Sequence, residues 1–320
     1  MTTQERPQRL ETGAAAGEPA IAVLLSAYNG ERFIEAQIQS IIEQTHRRWH
    51  LFIRDDGSTD GTHQILAHYA ELDDRISVYR EPNVGVVASF MSLLETAGDD
   101  FELYAFCDQD DVWVPEKLTR TAAHTIPNGA SVPTMYCSRL SYVDEQLEPI
   151  GQSKIPNEIS FSNAIVENIA TGCTVAIDGA LRQRVLAGDP GDMVMHDWWC
   201  YLVATAFGRV VFDPECTVLY RQHGANVVGA TASFSKQMFR RAKRFLGRRS
   251  QSWPLSEQAA RFIAKYDDEL PQDARAIARR FVESKAGLRQ RAVYALSMDA
   301  RRNTRVDNTL LRLMILANRY

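Results

Sequence analysis

Short apolar runs alternate with longer amphipathic stretches through the first third of the chain. Residues 20–27, AIAVLLSA, are long enough for one strand and too unbroken for a surface strand, which puts them in the centre of a sheet covered on both faces. Asn29 is placed to cap a helix in which Phe33, Ile34, Ile38, Ile41 and Ile42 recur at helical spacing. A second strand, 50–54, runs into the turn DDGSTDGT, and Ile65, Leu66 and Tyr69 mark one face of a helix over 62–71. A strand over 76–79, the loop EPNVG and a helix over 85–97 follow, and then the buried run LYAFC opens onto DQDD.

Strands that alternate with helices of ten or more residues predict parallel βαβ units, hence a doubly wound α/β sheet with helices on both faces. Ligands in such sheets bind beyond the carboxyl ends of the strands. Three strands end in polar clusters, Ser26–Asn29, Asp55–Ser58 and Asp108–Asp111, and that agreement says more than any one cluster. Beyond residue 130 the pattern loosens to strands near 134–142, 173–177, 209–213 and 217–221 and a helix over 196–207. From 230 the chain reads as helices broken near 247–254, at Pro271 and near 301–304.

Of 320 residues, 45% are hydrophobic and 24% charged, a globular composition that excludes wholesale disorder and coiled coil. No apolar stretch approaches a membrane span. Residues 1–18 lack a signal-peptide core and read as a disordered leader, so the five cysteines, without any CxxC pair, are expected to be reduced, cytoplasmic and mostly core. Charge is strongly asymmetric. Residues 1–229 carry a net −16 and residues 230–320 a net +12, an acidic unit joined to a basic one.

The acidic unit holds the candidate chemistry. Three carboxylates in Asp108-Gln109-Asp110-Asp111 at a strand end repel one another, and a hard cation such as Mg²⁺ or Mn²⁺ relieves that repulsion; the plain alternative is a solvated acidic turn. An ionised Asp56 can accept the imide N–H of a pyrimidine, while Ser58 or Asp60 caps the next helix. Tyr28 can stack on a base, and Gly30 lets the backbone approach a ligand. Neither a dinucleotide-binding G-x-G-x-x-G nor a P-loop is present.

Together LLSAYNGERFI, IRDDGSTDGT, PNVGVVASF, FCDQDDVW, TGCTVAID and HDWW resemble the inverting family-2 glycosyltransferases of the GT-A fold, from about residue 21 to 229. The set YAFCDQDDVW, HDWWCYLVATAFG and VLYRQHGANVVGA is most similar to bacterial rhamnosyltransferases of surface-polysaccharide (O-antigen) assembly. The resemblance implies a catalytic unit at 19–229, with a nucleotide-binding half at about 19–115 and an acceptor half at about 130–229, followed by a basic helical region at 230–320. It implies that Asp56 binds the base with Ser26, Tyr28, Asn29 and Asn83 nearby, that Asp108 lies beside the ribose and shares the metal, and that Asp110 ligates Mg²⁺ or Mn²⁺ directly. Asp197 is implied as general base, with helix capping as its compatible plainer role. Trp198 and Trp199 would form a sugar platform, Trp199 being equally suited to the core. His223 would be the third metal ligand and Arg221 a bidentate partner of the diphosphate.

The expected donor is dTDP-L-rhamnose, or a UDP-hexose under the same mechanism, and the expected acceptor a glycan or lipid-linked glycan. Sugar-nucleotide synthesis is a rival activity, but SAYNGERF lacks the Gly-rich basic loop it needs; a non-catalytic scaffold is the other rival. Residues 234–249, FSKQMFRRAKRFLGRR, carry seven basic side chains and no acid, with Phe234, Met238, Phe239, Phe245 and Leu246 at helical spacing. Such a helix suits an anionic membrane surface, so the protein is expected on the inner face of the cell membrane as a peripheral protein; a docked helix with a solvated basic face is the alternative. No nucleic-acid recognition motif accompanies the charge. The terminal TLLRLMILANRY is a further apolar helix, suited to packing, lipid or a homodimer contact.

Overall fold

The computed structural model describes residues 17–125, 132–223 and 254–320. The segment 234–249 and residues 1–16 of the leader lie outside the described residues. The first apolar run is β1 (Ile21–Ala27). Its Ala22 and Leu24 enter one core, and Ile21, Val23 and Leu25 enter a second core on the opposite face. A strand buried on both sides has no face left for polar residues, which accounts for the unbroken run.

Parallel to β1 run β2 (Trp49–Asp55) and β4 (Leu103–Cys107), and β3 (Ile76–Arg80) lies parallel to β2. The helices α1 (Ile34–Ile42) and α2 (Thr62–Leu72) cover the second core through Ile34, Ile38, Ile41 and Leu66. On the other face α3 (Val86–Thr96) covers the first core through Phe90, Leu93 and Leu94.

After β4 come β5 (Val112–Trp113), α4 (Lys117–Thr125), β6 (Thr134–Val143), β7 (Pro149–Gln152), α5 (Phe161–Ala164), β8 (Ala176–Asp178), α6 (Gly179–Leu186), α7 (His196–Phe207) and β9 (Arg209–Arg221). Among the described residues the sheet order is β3-β2-β1-β4-β8-β6-β9-β5, with β7 on the edge of β6. The expected α/β sheet with helices on both faces is present. Its parallel character is concentrated in β3-β2-β1-β4 and the β6–β9 pair, and β8 joins the two sets antiparallel to both neighbours. The two strands expected at 209–213 and 217–221 are one. The register along β6 jumps from Ser138 opposite Asp213 to Arg139 opposite Cys216, so the residues around Pro214 form a bulge rather than a break.

The chain ends in α8 (Pro254–Tyr266), α9 (Gln272–Glu283), α10 (Leu288–Ser297) and α11 (Arg305–Leu316). The breaks at Pro271 and at 301–304 fall where expected. Phe262 and Tyr266 of α8 stack on Trp199 of α7, so these helices share the first core with the sheet. No helix among the described residues is long and apolar enough to cross a membrane.

Candidate active site

The carboxyl ends of β2, β1 and β4 are neighbours in the sheet, so the three polar clusters converge at one edge. Their loops are tied together. Gln109 accepts from the Tyr28 N–H at 2.8 Å and donates to the Tyr28 carbonyl at 3.1 Å. A Cβ on Gly30 would collide with Gln109 Oε1, so this glycine permits closure of the first loop on the acidic loop. Asn29 adopts a left-handed backbone (φ 48°) and its side chain accepts from the Thr59 N–H at 2.8 Å. It therefore joins the first loop to the second instead of capping α1, whose N-cap is Phe33. Tyr28 stands 49% exposed above this junction, and Ser26 shares a 2.7 Å hydrogen bond with Ser89.

Asp55 and Asp56 divide the work of the second loop. Asp55, fully buried, accepts from the Ser58 N–H at 2.9 Å and makes the turn. Asp56 accepts from the backbone N–H groups of Val84 and Gly85, both at 3.0 Å, and from Arg54 Nε at 3.3 Å. It thus holds the loop bearing Asn83 against the site, and a carboxylate with about four acceptor positions keeps capacity for a further donor. At the start of α2 the cap-like contacts come from Asp60, which accepts from the Thr62 N–H at 3.0 Å.

The acidic cluster is crowded. Burial, then the charges of Asp110 and Asp197, push the Asp108 carboxyl up to about 7. Asp111 is fully buried; burial, then Asp108 and Asp110, hold it well above the carboxylate range. One Asp111 oxygen accepts from the Arg221 N–H at 3.1 Å and the other has no hydrogen-bond partner. Possible ligand atoms of Asp108, Asp111 and Cys173 lie within 4.8 Å of one another. His223 Nε2 lies 2.7 Å from Asp110 Oδ2, and the His223 ring packs 5.0 Å from that of Phe33. Clustered carboxylates with an orphaned buried oxygen and an adjacent imidazole form a donor set that fits a divalent cation of the Mg²⁺ or Mn²⁺ kind.

Asp197 sits in the first turn of α7, buried to 6% exposure. The helix is entered at Met195, so Asp197 is past the cap position, although its Oδ1 accepts from the Trp198 N–H at 2.6 Å. Burial raises its carboxyl to about 6, against the opposing effect of hydrogen bonds from Trp198, Asn168 and Gly172. A carboxylate in that range is a better proton acceptor than an ordinary aspartate.

Three of the expected side chains are engaged within the fold. Arg221 donates through Nε to the Asp110 carbonyl at 2.9 Å and through an NH group to the Glu145 carbonyl at 2.5 Å, so its guanidinium braces the acidic loop instead of presenting a free fork. Trp199 is fully buried against α8 and is a core residue. Trp198 is half-buried, with its indole N–H held by the Ala164 carbonyl at 2.6 Å. Residues not singled out from sequence also build the site. They are Gln109, Cys173, Asn168 and the buried Lys117, whose ammonium lies 4.6 Å from the Trp113 ring centroid. TGCT was visible as part of a motif, but nothing in the spacing marked Lys117 or Asn168.

Residues 22–177 match Glycosyl transferase family 2. An uncharacterized glycosyltransferase of Nostoc is 30% identical over 68% of this chain and 69% of its own length. The chain belongs to glycosyl transferase family 2. The glycosyltransferase is also 29% identical to the dTDP-rhamnosyl transferase RfbG of Shigella flexneri, over 92% of this chain and 99% of that protein. That alignment extends well beyond the family match, which stops before Asp197, Arg221 and His223. In fold the glycosyltransferase is similar to the mannosyltransferase PcManGT of Pyrobaculum calidifontis, solved with GDP-Man and Mn²⁺. The TM-score is 0.51, with 19% identity, over 94% of this chain and 87% of that one.

Proposed function

We propose that this glycosyltransferase is a metal-dependent inverting enzyme that moves L-rhamnose from dTDP-L-rhamnose to a glycan or lipid-linked glycan. The observation that carries the reading is the placing of a buried, basic-leaning Asp197 beside the acidic cluster where three strand-end loops converge. The rhamnosyl assignment leans on the near full-length likeness to a protein named dTDP-rhamnosyl transferase. The metal assignment leans on the donor set and on the Mn²⁺ held by a neighbour in fold.

In this reading Tyr28 stacks on the base and Asp56, with Asn83 on the loop it holds, meets its polar edge. Ser26 and Asn29 fix the loop beneath the nucleotide. Asp110 and His223 hold the cation, with Asp108 beside them. A bound Mg²⁺ or Mn²⁺ offsets the charge that grows on the departing nucleoside diphosphate. Asp197 takes the proton from the acceptor hydroxyl as that oxygen bonds to the anomeric carbon. The bond to the diphosphate oxygen breaks on the opposite side, and the configuration inverts. Trp198 borders the acceptor. Arg221 keeps Asp110 in place through its carbonyl. A lipid-linked acceptor puts the enzyme at the inner membrane face, with 234–249 as one lipid contact.

Calorimetric titration with dTDP-rhamnose, UDP-glucose and GDP-mannose, with Mn²⁺ and with chelator, tests the reading. Metal-dependent preference for dTDP-rhamnose is expected. Preference for a UDP sugar overturns the rhamnosyl assignment and keeps the mechanism; equal binding in chelator overturns the metal; no binding by folded protein overturns the activity.

A further inference from the structure

Among the described residues, the last two helices carry an outward face that the fold does not use. Their inward faces are spent on the core through Tyr294 and Ala295 of α10 and Leu311, Met314 and Ile315 of α11. Outward, Leu288, Val293 and Leu296 on α10 and Val306, Leu313 and Leu316 on α11 are all exposed, Leu296 to 84%. Single exposed apolar residues are ordinary, but six within two helices that pack on each other are a surface. Arg289, Val293 and Leu296 fall on one stripe of α10 by their i, i+4, i+7 spacing, and Arg305, Arg312 and Leu316 fall on one side of α11.

Charge decides what covers this face. Arg289, Arg305 and Arg312 are exposed beside the apolar residues. The acid on these two helices is Asp307, which is buried and bound to Thr304. A symmetric contact with a second copy would set arginines against arginines with no carboxylate between them. A surface of lipid phosphates supplies both the anions and the apolar layer beneath them. Ser256, at the start of α8, donates to the carbonyl of Tyr320 at 2.6 Å, so the start of α8 lies next to the end of α11.

We propose that the outward face of α10 and α11 docks on an anionic lipid bilayer, with Leu296 and Leu313 entering the headgroup layer and Arg289, Arg305 and Arg312 binding lipid phosphates. The proposal does not depend on the donor or on the catalytic assignments.

The test uses the full chain with Cys216→Ser and Val293→Cys, labelled at position 293 with an environment-sensitive fluorophore; the other four cysteines are buried. Vesicles of phosphatidylcholine alone are compared with vesicles that also contain phosphatidylglycerol. A blue shift and quenching by lipid-borne quencher with the anionic vesicles alone are expected, and Leu296→Gln with Leu313→Gln should weaken binding roughly tenfold. Vesicle binding without a shift at position 293 overturns the proposal, because another surface would then be the contact. A shift that grows with protein concentration in the absence of lipid overturns it in favour of self-association. Absence of vesicle binding by the folded chain overturns it outright.

Discussion

His223 and Asp110 lie 113 residues apart in sequence and meet at 2.7 Å, Nε2 to Oδ2. The contact closes the far end of β9 over the acidic loop after β4, beside the Arg221 contact with the Asp110 carbonyl. If this pair holds a cation, Mn²⁺ should raise the melting temperature of the wild type by several degrees. Asp110→Ala should abolish that rise and His223→Ala should reduce it. In chelator Asp110→Ala should melt close to wild type, because loss of its bond to His223 is offset by relief of its repulsion with Asp108 and Asp111. Differential scanning fluorimetry with and without Mn²⁺ checks this, and an undiminished rise in Asp110→Ala would remove Asp110 from the ligand set.

Asp197→Asn keeps the shape of the site and removes the proton acceptor. Donor affinity should stay within about threefold of wild type while transfer falls by about 10²–10⁴. Burial lifts the carboxyl to about 6, and only the ionised form can take a proton. The rate constant for transfer should therefore be level above that pH and fall about tenfold per unit below it. A pH profile of kcat measured under saturating donor gives the answer, and near-normal transfer in Asp197→Asn would sink the base assignment.

The half of the fold that carries the three polar loops was legible because β1, β2 and β4 are buried on both faces; β1 and β4 read as apolar runs, and β2 keeps an apolar Leu51–Ile53 centre between His50 and Arg54. The loops at their ends stood out by contrast. Two residues of β5, the four exposed residues of β7 and the single turn of α5 are too short for any periodicity. The bracing role of Arg221 was not legible for a different reason. A guanidinium near an acidic motif suggests an anion ligand, and its engagement with the carbonyls of Asp110 and Glu145 exists only once β9 is folded across the sheet. Trp198 and Trp199 are adjacent in sequence, but on a helix adjacent residues point about 100° apart, which sends Trp199 to α8.

Two buried histidines should each contribute less stability as pH falls. Burial lowers the His196 imidazole to about 3, where it lies between the rings of Phe90 and Phe106 at 4.1 and 4.9 Å. His50 is lowered to about 4, again chiefly by burial. Both are neutral in the fold and take up a proton near pH ~6.5 once unfolded. Their stabilising contribution is complete above that pH and is lost as pH falls from about 6.5 toward 3–4, each costing about 1.4 kcal/mol per unit. The raised carboxyls of Asp108, Asp111 and Asp197 act in the opposite direction over the same range, so the histidine share is read as a difference: in urea unfolding between pH 7.5 and 5, wild type should lose stability relative to His196→Leu as pH falls, by up to about 1.4 kcal/mol per unit. An unchanged slope in the variant would mean that His196 is not the linked group.

Asn303, in the link between α10 and α11, should matter to transfer although it lies in the C-terminal helical region. Its backbone and side-chain N–H groups donate to Glu167 Oε2 at 2.7 and 2.9 Å. Its own side-chain oxygen accepts from the N–H groups of Asn157 and Glu158 at 2.6 and 2.9 Å. Asn163 adds a third donor to the same Glu167 oxygen at 2.8 Å, and Asn168, next in the chain to Glu167, bonds Asp197. The C-terminal helices thus fix the stretch that carries the hydrogen bond to the proposed base. Asn303→Ala leaves Glu167 short of one donor and frees the stretch, at a cost of about 1–3 kcal/mol in stability. Donor affinity should be unchanged, because the hydrogen bonds of Asn303 and Glu167 run to residues 157, 158 and 163 rather than to the loops of Tyr28 and Asp56, while kcat falls on the order of tenfold through misplacement of Asp197. A general loss of stability would lower the active fraction without moving the pH midpoint of kcat. Loss of the Asn168 hydrogen bond would instead raise that midpoint, since this bond favours the ionised carboxylate. An upward shift of the midpoint in Asn303→Ala is the expected result, and an unmoved midpoint would limit Asn303 to holding the fold.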